Sequence, residues 1–416
     1  MKAYDVLITG GGVSGLTAAI FAGKYGAKAA ILEGNDKCGK KILSTGNGRC
    51  NFTNEKMDEG FYNTDGERDL ITRTLSSFSK EDTLEFMKSI GINPVIRFGT
   101  GYYPSSMQAT SVRNALEEKA LSYGTKIFTG KRITTIKKEK GLFVAVAEDG
   151  SEYFGKHVIL CTGGMAFKKS GSDGSGYELS KSLHHSLIKP VPSLTSVKCK
   201  EDFFKNLHGV RSLGKVSVFI SDYDDLNDEG EIQFTKEGIS GIPVFQFSGL
   251  IGRALLEGEN VDVSLDLLSH MRKEEIISSL VALKENTGEY KKANTLLDGY
   301  LPYQLSEVII TLCNIKKDRK IKTLKDEDIE RVASLIKDFR VTPVAVGDFD
   351  NAQVTSGGVP LSEIDPGTLE SKRMPGLYFA GEIMDADGPC GGYNMQWAIS
   401  TGAVAGRKSA ERIERE

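Results

Sequence analysis

The pattern of apolar and polar positions divides the chain into three textures. The first 190 residues read as α/β. Tyr4 to Thr9 is an apolar run suited to a buried strand, Val13 to Tyr25 is an Ala-rich helical pattern, and Ala29 to Leu32 is a second strand. The spacing predicts helices over Lys80 to Ser89 and Ser111 to Ser122, then strands at Ile127 to Thr129, Ile133 to Lys138, Phe143 to Ala147 and His157 to Cys161. From about Pro190 to Leu268 the pattern is β-like, and from Ser269 to Phe339 it is helical. Glycines and short strands return after Arg340, and Gly376 to Ala380 again runs into a turn. The expected organisation is therefore a first domain of residues 1–190 plus 341–416. It is interrupted by a β-rich insert, 191–268, completed by a strand near 340, and by a helical subdomain, 269–340.

Length and charge narrow the function classes. At 416 residues the chain exceeds one compact core, and 39% hydrophobic with 26% charged residues describes an ordinary globular protein. A formal net charge of -3 provides no global basic field for nucleic acid or anionic membrane. No apolar run reaches the roughly 18 residues of a spanning helix, and no targeting pattern opens the chain, so a cytoplasmic location is expected. The six cysteines are scattered without a CxxC pair or a clustered histidine partner, so no metal is expected.

The chemistry starts at Gly10-Gly11-Gly12-Val13-Ser14-Gly15. This GxGxxG follows a strand, opens a helix, and is followed by Glu33 at the end of the next strand, which is the context a dinucleotide needs. Gly10 permits the turn, Gly12 lets backbone approach a pyrophosphate, and Gly15 packs helix on strand. The helix N-terminus offers free N–H groups to phosphates, and Glu33 with the adjacent Gly34 suits ribose hydroxyls while repelling a 2′-phosphate. The next block, Cys38 to Asn54, is too polar and glycine-dense for a core and would run along an extended cofactor. Thr162-Gly163-Gly164, Ala380-Gly381-Glu382 and Gly388 to Asn394 revisit that ligand, which favours FAD over a bare nicotinamide site. Gly391-Gly392-Tyr393-Asn394 opens the last helix, whose N-terminus could face the flavin pyrimidine edge, where reduction builds negative charge.

These blocks together resemble a family of bacterial NAD(P)/FAD-dependent oxidoreductases, the aminoacetone-oxidase-like flavoproteins. The likeness rests on the glycine turn with Glu33, the SxGxGRCNxTN core within Lys40 to Asn54, Gly230 to Ser248, and Val354 to Gly406. More remotely, the FAD portion is similar to the fumarate reductase and glutathione reductase superfamily. The resemblance implies an α/β fold: a discontinuous Rossmann-like FAD domain of the glutathione reductase type, with an inserted β-barrel-like domain and a small helical domain. It also implies flavin contacts from Lys41, Ser44, Gly46, Arg49, Asn51, Gly381, Glu382, Gly388 and Asn394. Many members carry a histidine where this chain has Lys236, so no histidine role transfers there. With Lys40, Gly48, Cys50, Ile133, Asp387, Gly392, Tyr393 and Met395, these complete the expected cofactor-contact set.

A flavin performs hydride chemistry itself, so the protein must supply a cation, an acid or base, and a pocket. Arg49 and Tyr393 are the candidates for chemistry, and Tyr102-Tyr103 could line the flavin or donate protons. Cys50 and Cys390 read as packed thiols, and His184-His185 as a surface helix end. The expected activity is FAD-dependent oxidation or reduction of a small molecule at the junction of the FAD and inserted domains. One version is an amine oxidase and another is a reductase of an activated double bond, with NAD(P)H entering transiently. A flavin-dependent RNA-modifying protein and a non-catalytic flavin-loaded scaffold are the remaining readings.

Overall fold

The computed structural model describes residues 3–66, 68–221, 223–286 and 290–413. It divides into two units, Met1–Val191 with Phe349–Glu416, and Pro192–Asp348.

The first unit is built on a seven-stranded sheet. Strand β1 (Tyr4–Thr9) lies between β2 (Ala29–Leu32) and the long strand Glu152–Leu160, parallel to both, with Ile8 opposite Ile31 and Ile159. Leu377–Phe379 pairs in parallel with the end of that long strand, so residues near the C-terminus complete the sheet opened by the N-terminus. Its first half instead pairs antiparallel with Leu142–Ala147, which in turn pairs with Ile133–Glu139. Parallel strands covered on both faces must be apolar throughout, and Val6, Leu7, Ile8, Val158, Ile159 and Leu160 have no exposure at all.

Helix α1 (Val13–Lys24) packs against the last helix, Tyr393–Ile413. Gly402 and Gly406, one turn apart, make that contact close: a β-carbon at Gly402 would stand 2.5 Å from Ser14 O, and one at Gly406 2.3 Å from Ala18 O. Helix Lys80–Ser89 starts at a capping box in which Ser79 Oγ accepts from Asp82 N and Asp82 Oδ2 from Ser79 N. Beyond the main sheet, Pro94–Arg97 and Gly101–Pro104 form a hairpin that pairs with Thr53–Asn54.

The second unit carries a seven-stranded antiparallel sheet. Its edge strands, Phe339–Val341 and Pro343–Val346, are separated in the chain by Thr342 alone. The sheet therefore curls back on itself, as a barrel-like insert does. One apolar core runs through both its strands and its helices, from Val216 and Phe234 to Leu280, Ile309 and Ile336. The β-like reading of 190–268 missed two elements, the short 3-10 helix Asp202–Asn206 and the helix Ile242–Glu257. That helix has stop and start signals at its ends: Pro243 in its first turn and Gly258 in a left-handed conformation after its last residue.

His185 is not a surface helix end. It is 4% exposed, with Nδ1 2.7 Å from Glu363 Oε2 and Nε2 2.8 Å from Ser371 Oγ. Burial holds its basicity below the ordinary histidine value, although Glu363 works the other way. Glu363 is held below the usual carboxylate range: burial opposes this, but hydrogen bonds from Ser186 and Arg373 outweigh it. The folded state thus prefers neutral His185, while the unfolded chain takes up a proton near pH ~6.5. Stability from this group is present above that pH and is lost as pH falls below it. The urea midpoint is expected to fall between pH 7.5 and 5.5, and His185→Asn should start lower at pH 7.5 yet show a flatter slope. An unchanged slope in the variant would remove His185 from the account.

Candidate functional site

The glycine turn joins β1 to α1 in the first unit. Gly10 adopts φ +95°, and a β-carbon at Gly15 would lie 1.9 Å from Gly10 O, so the turn closes on itself. At Gly12 the same construction meets nothing within 4 Å. No side chain caps α1, so its first N–H groups, at Val13, Ser14 and Gly15, are available to an anion. Glu33 is fixed at the end of β2, where its carboxylate accepts from Gly11 N at 2.6 Å, Asn35 N at 2.7 Å and Asn35 Nδ2 at 2.8 Å. Gly34 packs beside Arg132, the residue before Ile133, and Lys40 reaches Asn35 Oδ1 at 3.3 Å. The strand-end glycines face the same turn: a β-carbon at Gly10 would meet Cys161 O at 2.5 Å, and one at Gly381 would meet Ser14 Oγ at 2.7 Å.

A second group lies between this turn and the last helix. Lys41 Nζ is 2.6 Å from Glu382 Oε2, and Glu382 Oε1 accepts from Thr355 N at 3.0 Å. Thr355 Oγ1 also receives Met165 N and Ala166 N, so the Gly163-Gly164 turn is tied to Glu382 through Thr355. Sequence reasoning did not single out Thr355, and its signal lay in the VTSGGV stretch. The Thr162 hydroxyl is buried with no hydrogen-bond partner.

The third group is the ring end of the expected ligand track. Ile42–Gly48 is a broken 3-10 segment, and Gly46, Asn47, Gly48 and Cys50 all take left-handed φ, which is unusual for Asn and Cys. Ser44 donates to Lys41 O at 2.8 Å, and Ser44, Gly46, Gly48 and Arg49 are exposed. Asn51 meets the last-helix turn closely: a β-carbon at Gly392 (φ +99°) would be 2.7 Å from Asn51 Oδ1. Asn394 closes that turn, with Gly388 N donating to Asn394 Oδ1 at 2.9 Å and Asn394 Nδ2 donating to Gly388 O at 2.6 Å. Asp387 exchanges backbone hydrogen bonds with Asn63, and Met395 is buried behind the turn.

The expected chemical residues sort differently from the sequence reading. Tyr393 is 6% exposed, its ring meets Phe61 edge-on at 5.3 Å, and its hydroxyl donates to Lys56 O at 3.1 Å. That phenol therefore already has a backbone acceptor for its proton. Burial pushes the Cys50 thiol up to about 12, which makes it inert near neutrality. Tyr103, on the hairpin, lies on the other side of Asn51. Burial raises its phenol, while the Arg49 charge and a hydrogen bond from Asn51 pull it back. Arg49 lies over the Phe98 ring at 5.0 Å, and Phe98 meets Tyr103 edge-on at 5.5 Å.

An extended dinucleotide fits these residues on the structure's own geometry. The open space at Gly12, the uncapped helix start and the fixed Glu33 carboxylate suit its phosphates and ribose. The buried Thr162 hydroxyl and Asn51 Oδ1, both without partners, stand ready along the track. Among the described residues, no group of His, Cys, Asp or Glu is arranged to hold a metal, and no helix is long and apolar enough to cross a membrane.

Known proteins agree with that fit. The chain is 40% identical over 407 residues to the 3-dehydro-bile acid delta(4,6)-reductase of Clostridium scindens, covering 97% of this chain and 98% of that protein. It is 27% identical over 402 residues to the ribosomal RNA dihydrouridine synthase of Escherichia coli, covering 96% of each. The 3-ketosteroid delta1-dehydrogenase from Sterolibacterium denitrificans, solved with 1,4-androstadiene-3,17-dione, shares the fold with a TM-score of 0.53 at 12% identity, over 99% of this chain and 100% of that one. Residues 4–408 match the family described as the HI0933-like protein Rossmann domain, and the chain belongs to that family as an FAD-dependent oxidoreductase.

Proposed function

We propose that this protein is a reductase that saturates a double bond conjugated to a carbonyl in an apolar ring ketone of the bile-acid kind. The observation that carries the reading is the cluster at the end of the track where Asn51 meets the Gly392 turn: a β-carbon at Gly101 would touch both Asn51 Nδ2 and the Tyr103 ring, and Phe98 bridges Tyr103 to the Arg49 cation. The 40% identity to a reductase over nearly the whole chain supports it.

In this reading Gly12 and the start of α1 hold the pyrophosphate, Glu33 the adenosine ribose, and Asn51 with the Gly392 turn the ring. FAD, when bound and reduced by a nicotinamide dinucleotide, supplies the hydride that adds to the β-carbon of the double bond. The electron pair of that bond moves toward the carbonyl oxygen. Tyr103 then gives its phenol proton to the α-carbon and recovers one from solvent. Asn51 orients that phenol by donating to its oxygen. Lys41 and Thr355 hold Glu382 in place between the two ends of the track.

Two other readings make different predictions. An amine oxidase would take hydride from an amine and form hydrogen peroxide in air. An RNA-modifying enzyme draws on the 27% identity to a ribosomal RNA dihydrouridine synthase, but residues 192–348 carry 21 Lys and Arg against 26 Asp and Glu. That balance opposes a polyphosphate partner. Anaerobic mixing tests the three readings. The FAD-loaded protein, reduced by NADH or NADPH, should be reoxidised by a conjugated ring ketone and yield the saturated product. Reduction of the flavin by an amine, with no response to the enone, would defeat the proposal.

A further inference from the structure

Arg49 is an exposed cation. Among the described residues no carboxylate is paired with it, and its one recorded side-chain contact is the face of Phe98 at 5.0 Å. Phe98 is itself unusual, 68% exposed and held at φ +52° at the tip of the Pro94–Pro104 hairpin. A large aromatic in a left-handed conformation costs backbone energy, and exposing its ring gives no compensating burial. Arg49 follows a backbone stretch of the same kind, Gly46-Asn47-Gly48, and precedes Cys50 at φ +61°. The exposed hairpin tip and the exposed Gly46–Arg49 turn therefore meet at one cation and one ring.

Their surroundings fix which end of the ligand track they serve. Phe98 meets Tyr103 edge-on, Gly101 brings Tyr103 and Asn51 together (a β-carbon there would touch both), and Asn51 lies against Gly392. The phosphate end already has the start of α1. An arginine here is thus placed beside the group that donates the proton, away from the helix start that receives pyrophosphate.

We propose that Arg49, seated on Phe98, binds the oxygen of the group that activates the substrate double bond. Phe98 receives the apolar body of the same substrate. As hydride adds to the β-carbon, negative charge develops on that oxygen, and a positioned guanidinium stabilises it before Tyr103 protonates the α-carbon. The activating group is a ketone or a carboxylate, since each presents an oxygen to the guanidinium. Phe98 keeps Arg49 in place without neutralising it, because a ring face attracts the cation yet leaves its N–H groups free at the edge.

This inference rests on the reductase reading, and its test does not require turnover. The probe is 4-nitrophenolate, a stable mimic of the enolate, titrated into the oxidised FAD-loaded protein and followed by perturbation of the flavin absorption. Nitrobenzene serves as the neutral control. The wild type should prefer the phenolate, and Arg49→Ala should lose that preference by a factor on the order of 10 to 100 while keeping its FAD. Arg49→Lys should retain part of it, since the charge remains and the planar fork does not. Phe98→Ala should weaken both probes by roughly tenfold, the phenolate more than nitrobenzene, because Arg49 loses its seat. A matched pair of conjugated substrates, one ketone and one acid, then tells which oxygen Arg49 takes.

The proposal is overturned if the wild type shows no phenolate preference, or if Arg49→Ala retains it. Loss of FAD from Arg49→Ala also overturns it, because Arg49 would then be a cofactor anchor. Arg49-dependent binding of a stem-loop RNA without any phenolate preference overturns it in favour of base stacking. Phenolate preference without enone reduction leaves this site standing and removes the reductase reading, and enone reduction without the preference does the reverse.

Discussion

Gly12→Ala is expected to fold normally and to lose most of its FAD. A methyl group at this position meets no atom within 4 Å, and the backbone, at φ -70° and ψ -172°, is open to alanine. The folded chain therefore has no reason to resist the substitution. The space that the methyl fills is the space a pyrophosphate needs in order to reach the N–H groups at the start of α1. Affinity for FAD should fall at least tenfold, read as a lower flavin-to-protein absorbance ratio after purification and a weaker dissociation constant on reconstitution. The melting temperatures of the two apo-proteins should agree within a few degrees. They must be compared without cofactor, because bound FAD raises stability by mass action.

Gly15→Ala provides the contrast. Its β-carbon would stand 1.9 Å from Gly10 O, a backbone atom that cannot swing aside. Overpacking of this kind costs about 1–3 kcal/mol, and here it also distorts the turn itself. This variant should lose stability and FAD together. If Gly12→Ala loads FAD as the wild type does, the phosphates do not pass over Gly12 and the placement of the cofactor is wrong.

Why were these glycines legible while Phe98 was not, and while Tyr103 stood out no more than Tyr102 or Tyr393? The fingerprint is local: three glycines at fixed spacing between a strand and a helix, each with a geometric reason that depends on its own neighbours. Helices Lys80–Ser89 and Asp326–Lys337 were legible for the same reason, since their periodicity and end signals are contained within them. The Tyr103 environment is assembled from three distant stretches, the hairpin, Asn51 and Gly392, and no spacing rule connects them. Tyr393 looked equally suited to chemistry, because a sequence does not show that Lys56 O accepts its proton. His185 was misread likewise: its partners, Glu363 and Ser371, lie 178 and 186 residues away. The helix Ile242–Glu257 was missed because its polar positions, Gln246, Arg253 and Glu257, are sparse in a long apolar run that resembles buried strand. Gly402 and Gly406 were read as part of a helix, but the close approach to α1 that they permit belongs to the pair of helices.

Tyr103→Phe tests the proton donor. Removing a positioned acid typically costs 10²–10⁴-fold, so kcat for enone reduction should fall by at least roughly 100-fold. Reduction of the bound FAD by NADH or NADPH, which needs no proton from this residue, should change little. The pH profile carries the sign of the effect. A phenol acts as an acid only while protonated, and burial holds Tyr103 above the ordinary tyrosine value. The wild-type rate should therefore stay level through neutrality and fall only as pH rises past about 10. Arg49 pulls that limb back toward lower pH, so Arg49→Lys should leave it nearly in place while Arg49→Ala moves it higher. In Tyr103→Phe the alkaline limb should disappear along with most of the rate. A variant that keeps both its kcat and its alkaline limb would show that the proton comes from elsewhere, and the Asn51–Tyr103–Arg49 cluster would then be a support for the hairpin and not a part of the reaction.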